Sequence, residues 1–279
     1  MSAGPAVDAP LTGIYLYCLA RLDGLAAVKE LAEDKRCGVD THYCVAALPN
    51  SGVVAVISEV LLSEFSEANL QDLSWLGERA MRHEAVVARI MEASPVLPVK
   101  FGTLYKSQAN LKQFMQQHHD AIDQALERLR DKAEWSVKGY LLEEEARKII
   151  AAEDPEIQAR RDAMSQSPGV RYLQQKQLEN KIDTALEGAL TRVNHDLHQA
   201  LALKAEDSSA LRLHASSVTG RAERMVFNGG FLLGAETIAG FRAALAEQQE
   251  AYQVIGLTLE LRGPWPPYNF CPDLSSAKS

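Results

Sequence analysis

The chain has few of the residues that mark secreted, membrane-spanning or nucleic-acid-binding proteins. Its 279 residues include only four cysteines, which form no CxxC pair and have no histidine at metal-ligand spacing: Cys18, Cys37, Cys44 and Cys271. We therefore predict reduced thiols, not a disulfide framework or a zinc site. The formal net charge of −8 argues against nucleic acid or an anionic lipid membrane as the main partner. Apolar runs such as residues 13–20 are too short to cross a bilayer.

Motifs of the common enzyme classes are also missing. The chain contains no GxSxG, GxGxxG or kinase-like signature, which argues against catalysis without excluding it. We expect no catalytic residue, no cofactor and no metal site. Residues 1–12 have neither the basic segment nor the apolar core of a secretion signal. We therefore predict a disordered leader there, a flexible tail at residues 273–279, and a cytoplasmic protein.

Residues 13–132 alternate between strand and helix patterns without a recognisable repeat, which predicts a mixed α+β domain. The segment at residues 53–58 is apolar on both faces, so we expect it at the centre of a sheet. Pro95 ends the first long helix. The elements that we predict are strands at residues 13–19, 41–48 and 53–58, a short extended segment at 96–103, a short helix at 22–32, and helices at 73–91 and 111–129.

Residues 133–272 follow the order strand, helix, strand, strand, helix, strand. That order is the split βαβ arrangement of a ferredoxin-like domain, so the predicted fold class is α+β with two domains. The long helix should extend for roughly 45 Å, further than a small sheet can cover. Asn228-Gly229 is a hairpin signal, but we favour a continuous strand with a bulge or a close backbone approach. The predicted elements are strands at 134–142, 210–218, 223–233 and 252–262, helices at 143–152, 173–201 and 236–249, and a loop or hinge at 154–169.

The most distinctive stretch is Gly263-Pro264-Trp265-Pro266-Pro267-Tyr268-Asn269-Phe270. Proline donates no hydrogen bond to a strand ladder, so we predict that a stiff aromatic segment leaves the end of the last strand. Two interpretations are open. Trp265, Tyr268 and Phe270 could form a docking surface beside the sheet edge, or they could fold back and cover the protein's own core.

Two other features have competing interpretations. His83 lies on the apolar stripe of the helix at residues 73–91, where a satisfied core histidine is more common than a general base. In the segment at residues 96–103, one glycine and one lysine fall short of a phosphate-binding loop. We expect Phe101 to fill a core and Gly102 to allow a tight turn.

Three segments together resemble the gas vesicle protein F/L family. They are residues 96–103, residues 134–138 and residues 263–270, and the resemblance extends from about residue 13 to residue 270. The opening strand and the His83-Glu84 helix also fit the family. The positions that we take as family-motif or partner-binding candidates are Pro98, Phe101, Gly102, Trp135, Lys138, Pro264, Trp265, Pro266, Pro267, Tyr268 and Phe270.

The resemblance implies a non-enzymatic accessory protein that supports gas vesicle assembly, and hence buoyancy, through protein–protein interaction. It implies two kinds of partner, namely the major hydrophobic shell protein of the vesicle and other vesicle accessory proteins. It also implies a two-domain fold with a ferredoxin-like second half, and a cytoplasmic location at the vesicle. The alternative is a ligand-binding protein or enzyme on a ferredoxin-like scaffold. That alternative predicts a deep polar pocket, with His83 or His214 as candidates.

Overall fold

The computed structural model describes residues 11–34, 37–40, 44–215 and 220–274. Most of the predicted leader and tail lies outside these residues, as do positions 41–43 and 216–218 of two predicted strands. The chain forms two compact units. The first consists of Met1–Ala133 together with Trp265–Ser279, and the second of Glu134–Pro264. This division differs from the predicted second domain, 133–272, in that residues from Trp265 onward are grouped with the first unit.

The first unit is built on one sheet with the strand order β2-β3-β1-β4, and β5 also pairs with β1. The apolar strand β3 lies between β1 and β2, as its sequence predicts. The elements of this unit are β1 (Thr12–Arg21), α1 (Leu25–Glu33), β2 (Val45–Asn50), β3 (Val53–Leu61), α2 (Glu67–Gln71), α3 (Leu73–Met91), β4 (Val96–Pro98), β5 (Leu104–Tyr105), α4 (Gln108–Gln117) and α5 (His119–Arg128).

Strand β1 carries a β-bulge at Tyr17. Leu16 and Cys18 pair with consecutive residues of β3, so Tyr17 is the extra residue. A bulge shifts the alternation of side chains between the two faces of a strand. One buried cluster accordingly contains residues from both sides of the shift, namely Tyr15, Tyr17, Cys18 and Ala20. The bulge therefore concentrates the large side chains of β1 in one core.

The predicted helix at residues 111–129 is divided in two by His118. The backbone of His118 has φ −109° and ψ 15°, outside the helical region, so α4 ends and α5 begins there. The side chain of the next residue, His119, bonds the carbonyl of Ser51 at 3.1 Å. This contact ties the break to the hairpin between β2 and β3.

The second unit contains a four-stranded sheet with the order β7-β8-β6-β9. Its helices α8 and α9 pack their buried side chains against strand residues in apolar clusters. The elements are β6 (Lys132–Leu141), α6 (Glu143–Glu153), α7 (Pro155–Asp162), α8 (Pro168–Ala202), β7 (Asp207–Ala210), β8 (Arg224–Gly234), α9 (Ile238–Tyr252) and β9 (Leu257–Trp265).

Strand β8 is continuous through Asn228-Gly229, so the hairpin signal there does not divide it. Its register with β7 is regular across Gly229 and Gly230, which leaves no bulge on that side. A Cβ atom at Gly229 would lie 2.9 Å from the Phe231 ring. The glycine is therefore explained by the close approach of an aromatic side chain.

Three predicted boundaries in this unit are wrong. The predicted loop at 154–169 contains helix α7, because Asp154 accepts hydrogen bonds from the first backbone N–H groups and Pro155 fits the first turn. The strand predicted at 210–218 instead covers Asp207–Ala210. Strand β9 extends past the predicted end at residue 262 to Trp265. It lies at the sheet edge, where the missing N–H of Pro264 is tolerated.

Candidate functional site

Four of the sequence features singled out above meet in the core of the first unit. Their rings surround His83 on α3. The ring centroids of Tyr17, Tyr15, Phe101 and Tyr268 lie 5.6, 5.7, 6.1 and 6.4 Å from that of His83. We name these five residues the His83 cluster. It joins the opening strand, the helix α3, the turn after β4 and the C-terminal segment.

Two hydrogen bonds of the Tyr15 hydroxyl connect the cluster to its surroundings. The Tyr15 hydroxyl oxygen accepts the N–H of Gly102 at 3.3 Å and lies 2.8 Å from His83 Nδ1. A hydroxyl oxygen can accept two bonds and donate one, so the donor in the Tyr15–His83 bond is set by the tautomer of the imidazole. Nε2 is buried and makes no hydrogen bond of ordinary geometry among the described residues.

Burial keeps the cluster uncharged. His83 is 3% exposed, and desolvation lowers its pKa to about 4, against a smaller opposing effect of the Val99 backbone. Burial also raises the pKa of Tyr17 to about 12 and raises that of Tyr15. A neutral, enclosed imidazole bonded to a tyrosine is a structural group, since a general base needs a substrate proton within reach.

The segment after β4 supports the cluster through a tight turn. The Thr103 N–H donates to the Lys100 carbonyl at 3.3 Å, and Gly102 has φ +82° at the third position of this turn. A positive φ there is what a type II turn requires, and glycine adopts it without strain. Phe101 packs against the core cluster. Pro98 is buried in β4, opposite Cys18.

The C-terminal segment divides into buried and exposed aromatic residues. Phe270 is 5% exposed, and its carbonyl accepts a bond from Arg128 at 3.3 Å. Tyr268 is partly buried; desolvation and the nearby Glu84 carboxylate raise its pKa. Trp265 remains 46% exposed. Pro264 is exposed, while Pro266 and Pro267 are buried. Tyr268 and Phe270 thus help to cover the protein's own core, whereas the Trp265 side chain stays largely outside it.

The motif at residues 134–138 lies in the second unit. Gly263 on β9 has φ +136°, and a Cβ atom there would approach the Glu134 carbonyl at 2.9 Å and the Trp135 ring at 3.0 Å. Arg242 of α9 lies over the same ring, 5.5 Å from its centroid. Lys138 is partly buried. This motif and the start of the C-terminal motif therefore pack on each other between β6 and β9.

An exposed apolar ridge on α3 is a feature that our sequence analysis missed. Leu73, Gly77, Met81 and Ala85 recur every four residues, so they share one face of the helix. Leu73 is 81% exposed and Met81 is 70% exposed. A Cβ atom at Gly77 would have no neighbour within 4 Å. We name these four residues the α3 ridge. Their four-residue spacing was the available signal.

A groove lies beside this ridge. Its volume is about 430 Å³, and it is lined by Leu31, Cys37, Glu78, Met81, Arg82, Ala85 and Val86. The Cys37 thiol donates to the Leu31 carbonyl at 2.8 Å, and burial raises the pKa of that thiol, so it is not an activated nucleophile. The groove is therefore an apolar cleft with a polar rim.

The charges around the ridge are paired with each other. Arg82 contacts Glu78 at 2.9 Å, and Arg89 contacts Glu30 at 2.6 Å as well as Glu92. Exposed pairs of this kind contribute little to stability. They do leave the rim without a strong field of either sign. The ridge and groove therefore present an apolar and nearly neutral surface.

Within residues 11–34, 37–40, 44–215 and 220–274, no group of three or more His, Cys, Asp or Glu side chains is arranged to hold a metal ion. No helix in that part of the chain is long and apolar enough to span a membrane. The four cysteines are free thiols. His214, the other histidine considered for a ligand pocket, is exposed, and its backbone N–H contacts the Met225 sulfur at 3.4 Å.

These features define a class: an α+β protein with two sheets, whose distinctive motifs pack against its own segments and leave apolar surface exposed. The chain belongs to the gas vesicle synthesis protein GvpL/GvpF family, whose model matches residues 13–272. The resemblance predicted from the three motif segments is thereby confirmed.

Individual relatives agree with this assignment. Gas vesicle protein L of Streptomyces sp. (strain CB03234) is 28% identical over 230 residues, covering 80% of this chain and 81% of its own. Gas vesicle protein F of the same strain is 25% identical over 224 residues, covering 80% and 89%. The crystal structure of GvpF from Anabaena sp. PCC7120 has a TM-score of 0.68 at 16% identity, over 94% of this chain and 98% of that chain. The similar structure supports the mixed α+β fold with two sheets. None of these proteins carries the name of an enzyme.

Proposed function

We propose that this protein is a non-enzymatic accessory protein that binds the hydrophobic shell subunit of the gas vesicle and supports vesicle assembly. Membership of the GvpL/GvpF family supports the vesicle-related role. The observation that carries the binding hypothesis is the α3 ridge, with Leu73 81% and Met81 70% exposed. A subunit that lines a water-free space has a large apolar face, which must be covered before assembly to prevent aggregation.

The geometry of α3 suits such a partner. The helix has 19 residues, which corresponds to roughly 28 Å of contact length at 1.5 Å per residue. Gly77 allows a partner backbone to approach closely, and the groove beside Met81 and Ala85 can accept a large apolar side chain. Because the surrounding charges are paired, an apolar segment would dock without desolvating an isolated charge.

Capture of the shell subunit tests this surface. We expect Leu73→Glu and Met81→Glu to weaken capture about tenfold each, because burying a carboxylate in an apolar contact is unfavourable. Matched controls are Leu203→Glu and Val254→Glu, at residues that are 85% and 68% exposed in the second unit. Capture should be unchanged for both controls. Equal capture by all four variants, with unaltered thermal unfolding, would reject the ridge as the binding surface.

Trp265 is a second contact in this proposal. It is the exposed aromatic residue of the C-terminal motif, and an exposed tryptophan on a proline-stiffened segment loses little entropy on binding. The other motif positions, from Pro98 and Phe101 to Phe270, are proposed as supports that hold the segments in place. We expect Trp265→Ala to reduce capture a few-fold while the protein stays folded. If this variant captures the shell subunit as well as the unmodified protein does, Trp265 is not part of the binding surface.

We also propose that the second unit is a ferredoxin-like domain. Its chain order is strand, helices, strand, strand, helix, strand, and its sheet has the order β7-β8-β6-β9. Numbered within the unit, this is the arrangement 2-3-1-4, which a split βαβ repeat generates. The family assignment further supports a cytoplasmic location at the vesicle and other vesicle proteins as partners. Cells that lack the protein should lose buoyancy, and normal flotation would contradict an assembly role.

A further inference from the structure

The start of helix α8 is unusually exposed. Helix α8 covers 35 residues, and the first buried one is Leu178. The preceding ten residues extend for roughly 15 Å. Three large side chains in this segment are mostly or nearly half exposed: Val170 by 47%, Tyr172 by 67% and Leu173 by 61%. We name residues 168–177 the α8 tip.

The tip is anchored at its base. Leu178 and Ile157 are buried in one cluster between α7 and α8. Lys181 of α8 contacts Glu156 of α7 at 2.5 Å, and the Ser165 N–H donates to Gln174 Oε1 at 2.8 Å. These contacts hold the exposed segment as a fixed extension of the helix. Such an element loses little conformational entropy when a partner binds it.

The charge of this region is opposite to that of the chain. Residues 157–178 contain four basic residues and one acidic residue, whereas the chain has a net charge of −8. Arg160 is paired with Glu156 at 2.9 Å. Arg161, Arg171 and Lys176 have no ion-pair partner in the part of the chain that the structure describes. Two of these three free cations lie on the tip itself.

Cations and apolar side chains are interleaved on the tip. Tyr172 and Lys176 are four residues apart and therefore neighbours on one helix face. Leu173 and Val170 are three residues apart and lie beside them. A partner that contacts Tyr172 and Leu173 thus meets Lys176 in the same interface, while Arg171 adds positive charge on the side of the helix next to Tyr172. The complementary surface is one that carries carboxylates next to an apolar side chain.

We propose that the α8 tip binds an acidic polypeptide segment with apolar side chains, a second partner distinct from the shell subunit. A short segment fits better than a long polyanion. The cations are confined to one small region, and charges interact over about 8–10 Å at ordinary ionic strength. DNA or an anionic membrane would extend past the tip and meet the negative remainder of the chain. The proposal goes beyond shell binding and does not depend on the α3 ridge.

A peptide titration with the full chain tests the proposal. The ligand is a fluorescent helical peptide of repeated Glu-Glu-Leu-Leu units, and its control carries Gln in place of Glu. We expect the acidic peptide to bind at least tenfold more tightly than the Gln peptide, with weaker binding at high salt. Arg171→Glu combined with Lys176→Glu should abolish the preference, and Leu173→Ser should weaken binding several-fold. Lys112→Glu, at an exposed site on α4, should leave it unchanged.

Charge reversal gives the decisive control. The Arg171→Glu, Lys176→Glu protein should gain a preference for a Lys-Lys-Leu-Leu peptide, provided that circular dichroism shows intact helix. Equal binding of the acidic and Gln peptides would overturn the proposal. So would tighter binding to duplex DNA or to phosphatidylserine vesicles than to the acidic peptide. The proposal would also be overturned if the protein associates with itself and the double variant does not, because the tip would then bind a second copy of the chain.

Discussion

The two units stabilise their cores with different chemistry. The first unit buries hydroxyl and imidazole groups, with Tyr17 bonded to Ser58 at 3.0 Å and Tyr15 to His83 at 2.8 Å. The buried members of the core clusters of the second unit are phenylalanine and aliphatic side chains; its Phe231 and Phe241 rings lie 5.0 Å apart. Buried polar groups need specific partners, whereas apolar packing is not directional.

This difference shows how the first unit holds distant segments together. The hydrogen bond between Tyr15 and His83 joins residues 68 positions apart, and Tyr268 packs on the same imidazole. A directional network requires each partner in one place, so it selects one arrangement of β1, α3 and the C-terminal segment. The second unit instead gains stability from the area of apolar surface that it removes from water. The two cores should therefore respond differently to mutation and to pH.

The largest expected effect is truncation in the apolar core. Phe231 is fully buried, so Phe231→Ala should lower the free energy of unfolding of the second unit by about 3–5 kcal/mol. Hydrogen exchange is the appropriate measurement, because two units need not unfold in one step. Loss of protection should centre on β8 and α9. A loss below about 1 kcal/mol would mean that the site collapses around the cavity. Phe231→Leu should be milder.

The second prediction is a pH dependence that originates in the first unit. The pKa of His83 falls from 6.5 to about 4 on folding. Between these values the unfolded chain binds more protons than the folded chain. The stability that depends on a neutral His83 is therefore fully present above pH 6.5 and decreases as the pH falls toward 4. The loss should reach on the order of 3 kcal/mol. Urea unfolding at several pH values measures it.

The matched variant for this prediction is His83→Gln, which has no titrating ring. Tyr15, Tyr17, Tyr268 and Glu84 still face or adjoin the position in that variant. Its stability should therefore change much less between pH 7 and pH 4 than that of the unmodified protein. Identical pH slopes for the two proteins would show that the dependence arises from other groups.

The smallest expected effects come from two glycines of the second unit. Gly263→Ala should destabilise by about 1–3 kcal/mol, because the new Cβ would lie 2.9 Å from the Glu134 carbonyl at a positive φ. A Cβ atom at Gly240 in α9 would have no neighbour within 4 Å. Gly240→Ala should therefore stabilise the second unit by roughly 0.5–1 kcal/mol. Thermal unfolding measures both changes. Equal shifts of the same sign would contradict the close packing of Gly263 on Trp135.

Much of the secondary structure could be predicted from local patterns. The helix predicted at residues 73–91 is α3, and the continuous strand through Asn228-Gly229 is β8. The errors lie where a single residue overrides a pattern. His118 interrupts a regular helical spacing, and Asp154 starts a helix inside a polar stretch that looks like a loop. Such effects depend on hydrogen bonds to particular atoms, which periodicity does not record.

The candidate site was less predictable. Gly102 as a turn residue, Phe101 as a core residue and His83 as a buried residue follow from residue chemistry, and the structure agrees. The sequence does not show which C-terminal aromatic residues are buried. A docking surface and a cover over the protein's own core would use the same three residues, Trp265, Tyr268 and Phe270. The apolar ridge of α3 was present in the sequence but is hidden by the longer apolar stripe on the opposite face of the helix.

The sequence by itself determined the types of the main elements, the two-sheet α+β class and, through three motif segments, the family. These properties depend on neighbours along the chain, whose side-chain periodicity is set by helix and strand geometry. Only the tertiary structure decided that the bulge at Tyr17 gathers β1 side chains into one core, that Tyr268 lies on His83, and that Trp265 stays exposed. Those outcomes depend on contacts between residues far apart in sequence, which form only when the sheet register and the packing of α3 are in place.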